Sequence, residues 1–261
     1  MPDLSILIPV HNEQGNLGQL INEIMHSMVQ AAPVPDYEII VVDDGSTDST
    51  RSEILPLMDK GGGVLRVIGH SQRAGKSAAL KTGFDAARGS WIATLDGDGQ
   101  NDPADLAQLW GEIAAGPANV IYAGVRKRRN DGLVKKLTSR TGNAIRRRAL
   151  RDTARDSGCG FKVLPVSLAK ALPYFDNMHR FLPALAGRHG YGVREIMVND
   201  RARVHGQSKY GFFDRAAVAA LDLIGVFWLI RRYSDRGAVT ELAHGRGAAE
   251  AEAKRSYGLR A

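Results

Sequence analysis

Two carboxylates separated by one glycine, Asp96-Gly97-Asp98, followed by Gly99-Gln100, form the group in this chain best suited to chemistry. They follow the apolar run Trp91-Ile92-Ala93-Thr94-Leu95, so they stand at the end of a strand and can both face one hard cation. Carboxylate and amide oxygens are the ligands that Mg²⁺ and Mn²⁺ prefer, which makes Asp96, Asp98 and Gln100 the candidate metal ligands. Such a cation keeps positions for substrate phosphates and stabilises a departing diphosphate. Taken alone, an acidic Asp-Gly turn without chemical consequence is the more ordinary reading.

Three further groups carry chemistry. Asp44, in Val41-Val42-Asp43-Asp44-Gly45-Ser46-Thr47-Asp48, is placed to accept from a base N–H or a ribose hydroxyl at a strand end. Ser46, Thr47 and Asp48 read as turn and helix-cap residues. The stretch Gly69-His70-Ser71-Gln72-Arg73-Ala74-Gly75-Lys76-Ser77 invites a phosphate-loop reading, but that motif requires Gly at position 70 and finds His70. Arg73 and Lys76 are left as candidates for contacting a diphosphate. The third group is the Arg- and Lys-crowded stretch from Arg126 to Arg155, in a chain of net charge +7. Such a charge suits an anionic partner: nucleic acid, a phosphorylated substrate or acidic lipid.

The elements that must position these groups alternate. Strand-like runs at 4–10, 37–42, 64–68, 91–95 and 119–124 are separated by helical patterns at 15–30, 48–58 and 77–88 and by one starting at Pro103. This predicts an open, doubly wound α/β sheet, mostly parallel and flanked by helices. Ligands of such sheets sit beyond the carboxyl ends of the strands. There the polar clusters fall: His11-Asn12-Glu13, Asp43-Asp44-Gly45, Ser71-Gln72-Arg73 and Asp96 to Gln100. The second half is less regular, with helices at 133–151, from Ser167 and at 179–188, and strands near Phe161 and at 193–198.

With 261 residues, 44% of them hydrophobic, the chain can bury a core without staples, and its single Cys159 excludes an intrachain disulfide or a Cys-rich zinc site. The N-terminus shows no basic n-region or cleavage site, so the body is expected on the cytoplasmic side.

Together the segments resemble glycosyltransferase family 2 with a GT-A fold. The resemblance rests on Pro9-Val10-His11-Asn12-Glu13, the 41–48 stretch, Arg73-Ala74-Gly75-Lys76 and Asp96 to Pro103. Asp156 to Lys162, His179-Arg180-Phe181, and Arg201-Ala202-Arg203 leading to Gly206-Gln207-Ser208-Lys209-Tyr210 are similar to dolichol-phosphate mannosyltransferases and bacterial polyprenyl-phosphate relatives. The resemblance spans about residues 4–232 and implies a nucleotide-sugar donor, GDP- or UDP-linked, and a polyprenyl-phosphate acceptor. It implies that Pro9, Glu13 and Asp44 hold the nucleoside and that Asp96, Asp98 and Gln100 bind Mg²⁺ or Mn²⁺, with Asp98 nearest the diphosphate. Arg126, Arg140, Arg203 and Lys209 would hold phosphates, and Asp156 would lie near the reacting sugar. Where relatives often carry Asp-Ala-Asp, this chain has Gly97.

An acceptor phosphate is already anionic and needs no strong base, so the expected task is electrostatic. Arginine's planar fork suits phosphate, which favours Arg126, Arg140, Arg180 and Arg203, with Asp98, Asp156 and Arg203 closest to the reaction. A single displacement inverts the anomeric centre. The rival acceptor is a soluble molecule or glycan. Nucleic acid is disfavoured, since no aromatic interrupts the basic stretch between Tyr122 and Phe161.

The apolar stretch Ala216 to Ile230 contains Asp222 and is shorter than the roughly 20 residues of a spanning helix. With Phe212-Phe213, Trp228 and Arg231-Arg232 around it, an amphipathic helix lying at a membrane surface is expected, giving peripheral attachment. A plain packing helix is the alternative. The expected organisation is a catalytic domain at 1–211, the interfacial helix at 212–232 and a flexible tail at 233–261.

Overall fold

The computed structural model describes residues 2–60, 62–127, 133–201 and 212–233; the side chains of 59, 60, 133–141 and 212–217 are outside that description. Residues up to Arg231 group into one compact unit and Arg232–Ala261 into another.

Seven strands form one sheet: β1 Leu4–Val10, β2 Tyr37–Asp43, β3 Leu65–Gly69, β4 Trp91–Thr94, β5 Val120–Arg126, β6 Lys162–Pro165 and β7 Gly192–Val198. Their order is β3-β2-β1-β4-β6-β5-β7. Four neighbouring pairs are parallel and two, β4·β6 and β5·β6, are antiparallel. The mostly parallel sheet expected from the alternation is therefore present, with β6 as a reversed strand in its middle. The short run Lys162-Val163-Leu164-Pro165 of β6 shows no direction in sequence. The reversal arises because the chain re-enters the sheet directly from the 151–161 loop.

The helices are α1 Leu17–Met28, α2 Thr50–Lys60, α3 Lys76–Ala86, α4 Pro103–Ala115, α5 Leu133–Leu150, α6 Val166–Ala171, α7 Leu182–Arg188 and α8 Phe212–Arg231. A single 3₁₀ turn, Met178–Arg180, precedes α7, so the helix expected at 179–188 is split. On α1, Leu17, Leu20, Ile21, Ile24 and Met28 recur at helical spacing and are buried. One apolar cluster joins α1 and α4 to one face of the sheet. A second joins α3, α6, α7 and α8 to the other. Enclosure on both faces explains why β1 and β2 read as continuous apolar runs rather than alternating ones.

Helix α8 packs Val226 inward with Leu223, Phe227 and Ile230 beside it, and the Arg188 guanidinium donates to the Leu229 carbonyl at 2.8 Å. Its outward residues are also apolar: Val218, Leu221, Ile224 and Trp228 are exposed. The polar outer face of an amphipathic helix is thus not found among the side chains described before Arg231. No described helix is long and apolar enough to cross a membrane.

Candidate active site

The sheet changes direction of growth at β1, which pairs with β2 on one side and β4 on the other. Such a switch point opens a crevice beyond the carboxyl ends of the strands. Its floor is a pair of interlocked loops. Four successive N–H groups after β1 donate to side chains from the loop and helix after β2: Asn12 to Ser46, Glu13 to Thr50, Gln14 to Asp48 and Gly15 to Glu53. Asn12, held at φ 56°, returns an acceptor to the Thr47 N–H at 2.8 Å. Pro9 sits opposite Val42 in the β1–β2 register, and Glu13 accepts from Asn16 at 2.9 Å.

Asp44 is almost fully buried, and its carboxylate clamps the next loop: it accepts from Ala74 N at 2.8 Å, Gly75 N at 2.7 Å and the His70 ring at 2.8 Å. Burial alone raises its pKa, but these donors together hold it below the ordinary carboxylate range. Its neighbour Asp43 is tied to Ser46 N and the Arg51 guanidinium. Asp44 therefore shapes the Arg73–Lys76 turn that was expected to meet a diphosphate. Gly45 makes the approach possible: at φ 65°, a Cβ there would stand 2.5 Å from the Gln72 carbonyl carbon.

From that turn Lys76 Nζ reaches Asp96 Oδ1 at 2.5 Å. Burial pushes the Asp96 carboxyl up, while Lys76, with Lys162 and Arg126 beyond it, holds it below its usual value. Asp98 is buried and accepts from Gln100 N at 3.2 Å, and Asp96 N donates to Asn101 Oδ1 at 2.8 Å. Gly97 fits this chain: a Cβ there would lie 2.6 Å from Val10 Cγ1.

No group of three His, Cys, Asp or Glu side chains able to hold a metal is found among the described residues. The donor set still fits a hard cation that takes one or two carboxylates and completes its shell with substrate phosphates and water. Asp98 supplies a carboxylate. Gln100 donates its amide N–H to the Arg201 carbonyl at 3.4 Å, which leaves Oε1 as its acceptor end. Asp96 belongs to the same loop but is engaged by Lys76.

Arg126 and Asp156 pair through two parallel bonds, Nε to Oδ2 at 2.8 Å and Nη2 to Oδ1 at 2.9 Å. Burial lowers the Arg126 pKa, but Asp156 outweighs it and the guanidinium stays charged. Lys162 is fully enclosed and donates to the carbonyls of Ser157 and Cys159, bracing the 156–160 loop. Burial lowers its pKa to about 8. His179 bonds Ser77 Oγ through Nδ1 at 2.9 Å. Burial, then Lys76, Lys162 and Arg180, drive its pKa well below that of an ordinary imidazole, so it is neutral at pH 7. Lys162 and His179 were not singled out from sequence; their only signal was membership of the Asp156–Lys162 and His179–Phe181 segments.

Of the remaining expected residues, Arg73 is exposed on its turn, and Arg180 lies within electrostatic reach of Asp222 on α8. Arg140 lies on α5 with its side chain outside the description, and Arg203 and Lys209 lie outside the described residues. The structure thus brings together Lys76, Asp96, Asp98, Gln100, Arg126 and Asp156.

Gly160 packs directly against Asp96, and a Cβ there would fall on the carboxylate. Gly160→Ala is expected to dislodge Asp96 from Lys76 and lower kcat/KM by about 10- to 100-fold. Steady-state kinetics beside a thermal melt checks this; unchanged kinetics in a folded variant would remove Asp96 from the working geometry.

Known proteins are similar to this chain in sequence and in fold. A dodecaprenyl-phosphate galacturonate synthase of Rhizobium johnstonii is 36% identical over 232 residues, covering 88% of this chain and 68% of the relative. An undecaprenyl-phosphate 4-deoxy-4-formamido-L-arabinose transferase of Pseudomonas fluorescens is 32% identical, covering 79% and 60%. The chain thus spans about two thirds or less of the length of these relatives. The fold is shared with glucosyl-3-phosphoglycerate synthase of Mycobacterium tuberculosis, solved with Mn²⁺, UDP and phosphoglyceric acid, at TM-score 0.63 and 20% identity over 92% of this chain and 82% of that one. The model of glycosyl transferase family 2 matches residues 5–172, and the chain belongs to that family.

Proposed function

We propose that this chain transfers a sugar from a GDP- or UDP-linked donor onto a polyprenyl phosphate, with Mg²⁺ or Mn²⁺ and with inversion at the anomeric carbon. The observation that carries the reading is the Lys76–Asp96 pair, with Lys162 and Arg126 within electrostatic reach of it, beside Asp98 and Gln100. Two phosphate-bearing substrates must meet here, and these cations offset their mutual repulsion. The two relatives named above carry polyprenyl-phosphate acceptors in their names, which supports the lipid over a soluble acceptor.

In this reading Asp98 and Gln100 hold the cation, which offsets the charge developing on the departing diphosphate. Lys76, positioned by Asp96, meets the same diphosphate. Arg126, fixed by Asp156, offers its remaining guanidinium edge to the acceptor phosphate. The acceptor oxygen is already anionic, so no side chain has to remove a proton from it.

The test is incubation with undecaprenyl phosphate, Mn²⁺ or Mg²⁺ and a panel of UDP- and GDP-sugars that includes UDP-galacturonate, with mass spectrometry of the lipid. A glycosyl phospholipid lost on adding EDTA is expected. Donor turnover without a lipid product would favour a soluble acceptor instead, and a product of retained configuration would exclude single displacement.

Membrane attachment is proposed through α8, peripherally and on the cytoplasmic face. Leu221, Ile224 and Trp228 are 70%, 66% and 60% exposed on one side of the helix, next to Arg231. Between α5 and α8 a groove of about 440 Å³ has Leu150, Phe227 and Ile230 as its floor and Arg151 and Arg231 at its rim. Apolar contact flanked by arginine matches the acyl and phosphate layers of an anionic bilayer. Leu221→Glu with Trp228→Glu is expected to abolish flotation with phosphatidylglycerol vesicles while leaving the melting temperature within a few degrees; flotation equal to wild type would remove α8 from the contact.

A further inference from the structure

Arg201 lies one residue before the undescribed segment 202–211 and was not given a role of its own from sequence. Its backbone N–H donates to the Gln100 carbonyl at 3.0 Å, and its carbonyl accepts the Gln100 side-chain amide. Asp200 bridges Asn101 in antiparallel fashion, so 200–201 lies alongside the loop that carries Asp98 and Gln100. The guanidinium forks between two carboxylates: Nη1 to Glu23 on α1 at 2.5 Å and Nη2 to Asp102, the N-cap of α4, at 2.6 Å. Asn199 adds bonds to Asp105 at 2.6 and 3.0 Å. Arg201 thus joins α1 to the cap of α4 through its side chain, while its backbone, three residues past β7, lies on the loop at 96–101.

The energetics separate a stabilising role from a positioning one. The Arg201 side chain is 39% exposed and its partners Glu23 and Asp102 are 30% and 15% exposed. Ion pairs this open to solvent contribute about 0–1 kcal/mol to folding. A forked guanidinium nevertheless fixes direction, because both arms must be satisfied at one angle. What that direction controls is the carbonyl that takes the Gln100 N–H, and with it where Gln100 Oε1 points.

We infer that Arg201, clasped by Glu23 and Asp102, is a positioning residue that orients the Gln100 amide oxygen as a cation ligand. The inference rests on the reading of Asp98 and Gln100 as ligands given above. Groups that orient a ligand from behind change metal affinity by about 10- to 100-fold when removed. Here the hydrogen bond is long and part of the backbone pairing survives without the side chain, which places the expected effect at the lower end.

The test is an EPR titration of the full chain with Mn²⁺ in the presence of UDP or GDP, without sugar or lipid. Arg201→Ala is expected to weaken Mn²⁺ binding by about 10-fold, Arg201→Lys by less, and Arg194→Ala, which loses a more open bridge to Glu112, not at all. Glu23→Ala removes one arm and is expected to weaken binding by less than Arg201→Ala does; it keeps the question answerable if Arg201→Ala fails to fold. Unchanged Mn²⁺ affinity in folded Arg201→Ala or, where that variant is lost, in Glu23→Ala would overturn the inference while leaving the metal reading intact. Absence of Mn²⁺ binding by the wild type would overturn both.

Discussion

Asp98→Asn is expected to lower kcat/KM for transfer by on the order of 10²–10³-fold with little change in melting temperature. The substitution keeps the size of a side chain that is only 6% exposed, so packing is conserved. It removes the negative charge that the cation requires, and with it the stabilisation of charge on the departing diphosphate. The Gln100 N–H that Asp98 accepts can still be satisfied by the amide oxygen. The loss should therefore fall on chemistry and on Mn²⁺ binding together, measured by steady-state assay and EPR on the same preparation. Transfer at wild-type rate by Asp98→Asn would remove the cation from the proposed mechanism.

The largest stability effect is expected at Arg146. Its side chain and that of Asp152 are 7% and 0% exposed, with Nη1 and Oδ2 2.8 Å apart. These two atoms make close contact without an aligned hydrogen bond, and Arg146 Nε also lacks a partner. Burial lowers the pKa of the arginine and raises that of the aspartate, the directions expected when desolvation exceeds what the pair returns. Arg146→Ala strands a buried carboxylate and is expected to cost about 3–5 kcal/mol, which corresponds to roughly 6–20 °C in Tm for a chain of this size. Arg146→Met with Asp152→Leu replaces both charges and is expected to restore part of that loss, limited by the buried Ala154 N–H and carbonyl, which lose their partners. Calorimetry of the single and double variants decides it; a double variant as unstable as the single one would show that the pair contributes through more than its charges. The same variants probe the site, since Asp152 also accepts from Ala154 N in the loop leading to Asp156.

The parallel half of the sheet was legible because enclosed strands are unbroken apolar runs, and each of the first four ends in a polar cluster. Asp96, Asp98 and Gln100 were legible for the same reason: one short loop carries all three. What escaped was whatever depends on distant segments meeting. Ser77 and His179 are 102 positions apart, and the buried Lys162 is recognisable only once the carbonyls of Ser157 and Cys159 are seen to turn toward it. Asp44 shows a subtler gap. Its position beyond β2 was clear, but its carboxylate serves Ala74, Gly75 and His70, contacts that no spacing rule reveals. On α8, composition announced an apolar helix but not which side would be covered.

The interlocked loops beyond β1 and β2 set a condition for redesign. Four N–H groups of one loop depend on Ser46, Asp48, Thr50 and Glu53 of the other. A loop after β1 grafted alone from a relative would meet side chains spaced for a different backbone, and the part-buried N–H groups of residues 12 and 13 would lose their acceptors. Donor-site chimaeras of this chain therefore have to exchange residues 11–15 and 46–53 as one cassette, with Gly45 retained so that the 72–73 backbone can still lie against it.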